Sequence, residues 1–227
     1  MFKRPHHQRI ETLLRSLNSD VLQEAQCFFG GGTAIVLLLD EYRESVDVDF
    51  LCSSQDGYRL LRNMVTRHDL GGLLREPVLH VREVRADFYG IRTFVEIDGQ
   101  PIKIEIINEG RIPLRGEWRP TLTVPVLSCT DMYAEKLLAN ADRCYDDAVL
   151  SRDIIDVAMM IDHWGAIPPQ AWRKARRAYG ESVDRAYQTA TRMIHDRAHL
   201  ERCLEKMHMD KNLLDRIPAL LNSTDGL

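Results

Sequence analysis

One stretch, FFGGGTAIVLLLDEYRESVDVDFL from Phe28 to Leu51, limits what this chain can fold into more than any other. A short apolar run, Cys27-Phe28-Phe29, ends in three glycines. Thr33 and an apolar helical segment, Ala34 to Leu39, come next, and after a polar break the chain presents Asp47 and Asp49 with Val48 between them. That order predicts a strand, a glycine-rich turn, a helix and a second strand. The two carboxylates then share a face, because side chains at i and i+2 of a strand project to the same side. Glycines let a backbone approach a phosphate, and a helix start offers unpaired N–H groups at the positive end of its dipole. The pattern makes room for a nucleoside triphosphate and its magnesium ions.

The rest of the composition is ordinary. At 227 residues, with 44% hydrophobic and 28% charged side chains, the chain can bury a real core as one large domain or two small ones. A net charge of −4 argues against a surface coated in cations but leaves room for a local basic patch. The five cysteines (Cys27, Cys52, Cys129, Cys144, Cys203) form no CxxC pair. They read as reduced thiols of a cytoplasmic protein, not a disulfide frame or a zinc site. The N-terminal MFKRPHHQRIETLL has no long apolar stretch, so no signal peptide is expected, and no run approaches a membrane span. The pair His6-His7 reads as solvated and inert.

Periodicity divides the remainder. Ile10, Leu13, Leu14 and Leu17 have helical spacing. Asp56 can cap a helix from about Gly57 to Arg67, with Leu60, Leu61 and Met64 inward, broken at Gly71-Gly72. Val78 to Ile107 is strand-like, with Val81, Glu83 and Arg85 alternating with Arg82 and Val84. Asp98-Gly99 marks a hairpin between Phe94–Ile97 and Ile102–Ile107. From Thr130 onward the pattern is helical. The expected fold class is α+β, with a mixed α/β core over 1–125 and a helical region over 126–227.

The strand Ile102-Lys103-Ile104-Glu105-Ile106 faces its isoleucines one way and Lys103 and Glu105 the other. Laid beside the Asp47–Asp49 strand, it makes Glu105 the third carboxylate of a cluster. Three crowded carboxylates repel unless cations neutralise them, and an oxygen-only set suits magnesium or manganese. Two such ions about 3.5–4 Å apart can activate an attacking oxygen and neutralise a leaving pyrophosphate. Each piece alone has a plainer reading: a solvated D-x-D, a tight turn, the wet face of a sheet. Their ordered combination carries the argument. Competing glycine-rich loops fit poorly, since Ile35 breaks a dinucleotide fingerprint and no lysine follows the glycines as a P-loop requires.

These residues resemble the minimal, polymerase-beta-like nucleotidyltransferase superfamily, and within it the AbiEii toxins of abortive-infection and type IV toxin–antitoxin systems. Gly31-Gly32-Thr33 and Asp47-Val48-Asp49 occupy the first motif, with Ser45 and Phe50 familiar in their places. Lys103 and Glu105 match the later strand bearing the third acid, with glutamate where aspartate is common. The segment Ser128 to Ala139 resembles "S-x-x-D-x-x-x-x-K-L-x-A", and Ser151 to Val157 resembles "[KR]-D-x-x-D-[LV]". The resemblance runs from about Gly30 to Met160. It implies a polymerase-beta-like core of mixed sheet and flanking helices, followed by helices that complete the nucleotide site. It also implies metal ligation and catalysis by Asp47, Asp49 and Glu105, and nucleotide binding by Gly31, Gly32, Thr33, Lys136, Arg152 and Asp153. In residue terms alone, Lys136 can be a surface lysine or a phosphate contact. Arg152 and Asp156 can be a helical ion pair. Asp153 and Asp156 can orient a cation or face solvent. Asp142, Asp146 and Asp147 read as capping and solubility groups.

The implied reaction moves NMP from an NTP to an acceptor hydroxyl with release of pyrophosphate, using Mg2+ or Mn2+. RNA such as tRNA is the implied acceptor and a cognate antitoxin the implied protein partner. Trp172-Arg173-Lys174-x-Arg176-Arg177 could contact an RNA backbone, or be a solvated helix face. Two other readings stay open: a non-catalytic nucleotide- or partner-binding member of the fold, and a transferase that modifies a protein or a small molecule such as an antibiotic.

Overall fold

In the computed structural model, which describes residues 2–119 and 121–222, the chain forms a mixed α+β fold of two compact units. The first comprises the residues up to Leu37 together with Ser45–Ser128; the second comprises Leu38–Glu44 and the chain from Cys129 on.

The first unit is built on a mixed sheet. Helices α1 (Pro5–Ser16) and α2 (Ser19–Glu24) lead into strand β1 (Cys27–Gly30) and helix α3 (Gly31–Leu38). Then come β2 (Val48–Cys52), α4 (Gln55–Met64), the two-residue strands β3 (Leu79–His80) and β4 (Arg85–Ala86), β5 (Gly90–Ile97) and β6 (Gln100–Asn108). Strands β7 (Gly116–Trp118) and β8 (Pro125–Leu127) complete the set. The strand order is β3-β5-β6-β2-β1-β8-β7, with β4 also on β5. Neighbours run antiparallel except β2 with β6 and β1 with β8.

One face of this sheet is core. Val48 pairs with Ile104 and Phe50 with Ile106, all buried, and Phe29 packs its ring 5.4 Å from that of Phe50. Period-2 alternation turns Arg92 and Phe94 of β5, Lys103 and Glu105 of β6, and Asp49 of β2 to the other, half-buried face. Asp98 (φ 49°) and Gly99 (φ 71°) close the β5–β6 hairpin with two left-handed residues, the geometry of a two-residue I′ turn.

Two local expectations change. The cap of α4 is Ser54, whose hydroxyl accepts from the Gly57 N–H, while Asp56 lies in the first turn and pairs with exposed Arg59. Between β3 and β4 the alternation of residues 81–85 does not become one strand. Val84 turns inward, and its N–H donates to the Arg67 carbonyl instead of to a neighbouring strand.

The second unit is helical: α5 (Cys129–Arg143), α6 (Arg152–Trp164), α7 (Pro169–Tyr179), α8 (Ser182–Ile194), α9 (Arg197–Lys206) and α10 (Leu213–Asn222). Helix α5 packs against α6, α7 and α8, and its Tyr133 is fully buried, donating to the Gly165 carbonyl. No helix among the described residues is long and apolar enough to cross a membrane.

Candidate functional site

The glycine turn and the acidic strand are built against each other. Gly30 ends β1 opposite Asp49 of the antiparallel β2. Gly31 opens α3 at φ +67°, and a Cβ placed on it would lie 2.7 Å from Asp49 Oδ2. Glycine is therefore required twice at this position, once for the left-handed backbone and once because the carboxylate occupies the space of a side chain. The first-turn N–H groups of α3, at Gly31, Gly32 and Thr33, have no intrahelical acceptors and lie at the positive end of the helix. Gly31 and Gly32 are half-buried.

Thr33 is buried, and its hydroxyl is engaged within the fold. It donates to the backbone carbonyl of Asp47, which obliges the Ser45 hydroxyl, 2.7 Å away, to donate to Thr33. The Ser45 N–H donates in turn to Nε2 of His7, which is fully buried in α1. A chain of contacts, His7–Ser45–Thr33–Asp47, thus pins the backbone that presents Asp47. The expectation that His6-His7 is a solvated pair is corrected: His7 is core, and the His6 ring hydrogen-bonds the Val46 carbonyl. The missed signal was periodicity, because His7 stands three and seven residues before Ile10 and Leu14 and shares their helix face.

Asp47 lies one residue before β2, and Asp49 is the second residue of that strand. Asp49 and Glu105 are register partners across the parallel β2–β6 pair, which puts them on one face of the sheet. Two cations share that face. Lys103 Nζ is 2.5 Å from Glu105 Oε2, and Arg92 Nε is 3.3 Å from Glu105 Oε1. Partial burial would depress the Lys103 ammonium. Its hydrogen bond to Glu105 and the fields of Glu105, Asp47 and Asp49 outweigh that and hold it above its ordinary value. All three acids therefore act on one ammonium.

The donor set is purely oxygen, the chemistry a hard divalent cation prefers. Among the described residues, no group of three or more His, Cys, Asp or Glu side chains is drawn together closely enough to hold one ion. The fit is with the aspartate pair beside the glycine turn, with Glu105 level with Asp49 but paired to Lys103 and Arg92, and not with a closed three-carboxylate cage.

The helical unit holds the remaining sequence-derived positions. Lys136 is buried on α5 and donates to Asp153 Oδ1 at 2.9 Å; its Nζ lies 2.6 Å from Asp156 Oδ2. Asp153 also accepts from Arg143. Asp156, with no exposed surface, receives Arg43 in a bidentate pair, Nε to Oδ1 at 2.7 Å and Nη2 to Oδ2 at 2.8 Å, plus the Tyr42 hydroxyl at 2.6 Å. Burial alone would raise both carboxyls. For Asp156 the Arg43 guanidinium and the Lys136 ammonium win, and for Asp153 Lys136 and Arg143, so both sit below the usual carboxylate range. Of the open alternatives, the structure chooses orientation of cations over solvation for both aspartates. Arg152 is exposed. Tyr42 and Arg43 went unrecognised because a lone tyrosine and arginine in a polar break carry no local pattern.

Two of the four cations in the basic run on α7, Lys174 and Arg176, are paired within the fold, while Arg173 and Arg177 are exposed. Trp172 is buried with Tyr187 edge-on to it, Arg176 lies over the Trp172 ring and pairs with Asp184, and Lys174 is bound to buried Asp131. Asp146 caps a short 3₁₀ turn, as a capping group would.

Against known proteins, three solved structures share the fold. A candidate nucleotidyltransferase from H. pylori aligns with a TM-score of 0.57 at 13% identity, over 96% of this chain and 92% of that one. JHP933 from Helicobacter pylori aligns with a TM-score of 0.57 at 13% identity, over 98% and 91%. An antigenic nucleotidyltransferase-like protein from Paracoccidioides brasiliensis aligns with a TM-score of 0.50 at 16% identity, over 87% and 93%. No curated protein matches the chain. The family described as nucleotidyl transferase AbiEii toxin, type IV TA system, matches residues 12–221, a span that includes the glycine turn, the acid strands and both helical motifs. With that match over most of its length, the chain belongs to the AbiEii nucleotidyltransferase toxin family.

Proposed function

We propose that this chain transfers a nucleoside monophosphate from an NTP to an acceptor hydroxyl, releasing pyrophosphate, and that the acceptor is RNA such as tRNA. One observation carries the reading. The Gly31 backbone lies against the Asp49 carboxylate, and Glu105 stands level with Asp49 on the same face of the sheet. Phosphate-binding donors and candidate acid–base groups thereby adjoin.

In this reading the N–H groups of Gly31, Gly32 and Thr33 receive the triphosphate. The Thr33 hydroxyl holds the Asp47 backbone in place. Asp47 and Asp49 would hold Mg2+ or Mn2+, with Glu105 as the third acid; a bound ion supplies charge neutralisation for the triphosphate and the departing pyrophosphate. Glu105 takes the proton of the acceptor hydroxyl. That oxygen forms a bond to the α-phosphorus, the bond from α-phosphorus to the bridging oxygen breaks, and the electron pair leaves with pyrophosphate. Lys103 holds Glu105 in position through the ion pair to its Oε2. Lys136, Arg152 and Asp153 enter as nucleotide-binding positions through the family resemblance. Arg152 is the informative one to substitute, because it is exposed and its loss leaves the fold intact. A cognate antitoxin partner follows from the type IV family.

A second reading has its own observation. Glu105 is paired on both oxygens by Lys103 and Arg92, which suits a chain that binds a nucleotide without transferring it. Incubation with each α-labelled NTP, magnesium and total cell RNA separates the two. Transfer of label to RNA supports the enzyme, and saturable NTP binding without transfer supports the binder.

A further inference from the structure

The most exposed aromatic side chains of the sheet unit are adjacent in sequence. Phe88 and Tyr89 are 70% and 74% exposed, and their rings meet edge to face at 5.6 Å. Exposed aromatics on a loose loop would mean little, but this turn is built rigidly. Asp87 Oδ1 accepts from the N–H groups of both Tyr89 and Gly90. The Asp87 carbonyl accepts from the Tyr58 hydroxyl. Asn108 donates its side-chain amide to the Phe88 carbonyl and its backbone N–H to that of Tyr89. Gly90 is obligatory, since a Cβ there would lie 2.7 Å from the Ile106 carbonyl oxygen. Five hydrogen bonds and a required glycine hold two large apolar rings out in water, where their burial would otherwise be favourable.

The setting is cationic and close to the acids. Arg62 and Arg92 both act on Asp87 and on Tyr58, and exposed Arg85 stands opposite Arg92 in the β4–β5 register. Arg92 is itself the register partner of Glu105 and ion-pairs with it. Gly90, the end of the turn and the first residue of β5, stands opposite Ile107, two positions along β6 from Glu105, a separation of roughly 7 Å. Ring faces for stacking, with guanidinium groups beside them, match an unpaired nucleotide and its phosphates. A protein partner is the weaker match, because among the described residues the exposed large apolar side chains of this turn are Phe88 and Tyr89 alone, and arginines act beside them.

We infer that the Asp87–Gly90 turn is a stacking platform for the unpaired 3′ end of an RNA acceptor. The platform would bring the terminal hydroxyl to Glu105 while Arg62, Arg85 and Arg92 meet the backbone phosphates. The identity of the acceptor as RNA rests on the transferase reading above; the platform itself is tested without turnover.

The test is equilibrium binding of a fluorescein-labelled RNA hairpin with a short unpaired 3′ tail, alongside the same hairpin without the tail. The parent chain should prefer the tailed hairpin. The double variant Phe88→Ala, Tyr89→Ala should weaken tailed binding about ten- to a hundredfold, the loss expected for stacked bases, with an unchanged melting temperature because both rings are exposed. Exchanging the rings, Phe88→Tyr with Tyr89→Phe, should restore it. Arg85→Ala should reduce the slope of log Kd against log salt by roughly one phosphate contact. Equal binding of tailed and tailless hairpins, or a double alanine variant that binds as the parent does, would overturn the inference, even if the variant loses a protein partner instead. The two failures are distinguishable. If the double variant loses tailed binding while the parent labels no RNA from any NTP, the platform stands and the transferase reading falls. If Asp49→Ala abolishes labelling while the double variant binds normally, the reverse holds.

Discussion

Asp49 and Glu105 stand directly opposite one another on neighbouring parallel strands, 56 positions apart in the chain yet level in the sheet. That pairing brings a carboxylate packed against the glycine turn to a carboxylate on the edge of a cationic face. The reaction assigned to the site depends on the juxtaposition.

Glu105→Gln keeps the size of the side chain and removes its basicity. Transfer should fall by about 10²–10⁴ in kcat with NTP binding nearly intact, and the melting temperature should hardly move because the group is half-buried. Single-turnover rates on the labelled acceptor check this. Asp49→Ala should abolish transfer, and near-parental transfer in that variant would exclude the carboxylate from the chemistry.

Gly31→Ala attacks the site through the backbone. The left-handed conformation costs an alanine about 1–2 kcal/mol, and its Cβ would clash with Asp49 Oδ2 at 2.7 Å. Displacing that carboxylate by about 1 Å should lower transfer about a hundredfold. Thermal melting gives the stability loss and initial rates give the activity loss; the second should exceed what unfolding at the assay temperature explains.

Lys136→Ala removes a cation from between two buried carboxylates. Stability should fall by roughly 3–5 kcal/mol, because Asp153 and Asp156 lose a partner they cannot replace with water. Urea unfolding at neutral pH reads this directly. Arg152→Ala, on an exposed side chain of the same motif, should leave the unfolding midpoint where it is and weaken NTP binding.

The same cluster sets a pH dependence. Asp153 and Asp156 have folded values below the unfolded carboxyl value near 3.9, so the unfolded chain binds more protons as acid is added. Their contribution is complete above about pH 4 and is lost as pH falls through the folded values. Urea midpoints should therefore be flat for this cluster from pH 5 to 7 and drop below about pH 4, and Asp153→Asn should lower the neutral value and flatten the acid limb.

His7→Phe keeps an apolar-sized ring in the core but removes the acceptor for the Ser45 N–H. Leaving that donor unsatisfied costs about 1–3 kcal/mol. If the chain through Ser45 and Thr33 positions Asp47, kcat should fall more than NTP affinity does, whereas a packing role alone would leave kcat per folded molecule unchanged.

What the sequence made legible follows from how local each signal was. The glycine turn, the D-x-D pair and the Asp98-Gly99 hairpin lie within a few residues, and the turn chemistry or strand alternation that produces them is written there. The pairing of Glu105 with Asp49 was inferable because both strands alternate cleanly and the isoleucine face fixes which way Glu105 points. Arg43 was invisible: its partner Asp156 is 113 positions away, and nothing near either residue announces the other. Arg92, opposite Glu105 on β5, was hidden among six other arginines and lysines between Arg82 and Arg119, whose charge reads as solvation until a register is known. His7 was legible and misread, since an apolar-face position outweighs the usual behaviour of a terminal histidine.

The most direct measurement compares NTP labelled at the α-phosphate with the same NTP labelled at the γ-phosphate, using the purified chain, magnesium and total cell RNA. The account predicts that the α-label becomes acid-insoluble with RNA, the γ-label is released as pyrophosphate, and Asp49→Ala and Glu105→Gln lose both signals together. Transfer of the γ-label to the acceptor, or α-label transfer that survives both substitutions, would contradict it.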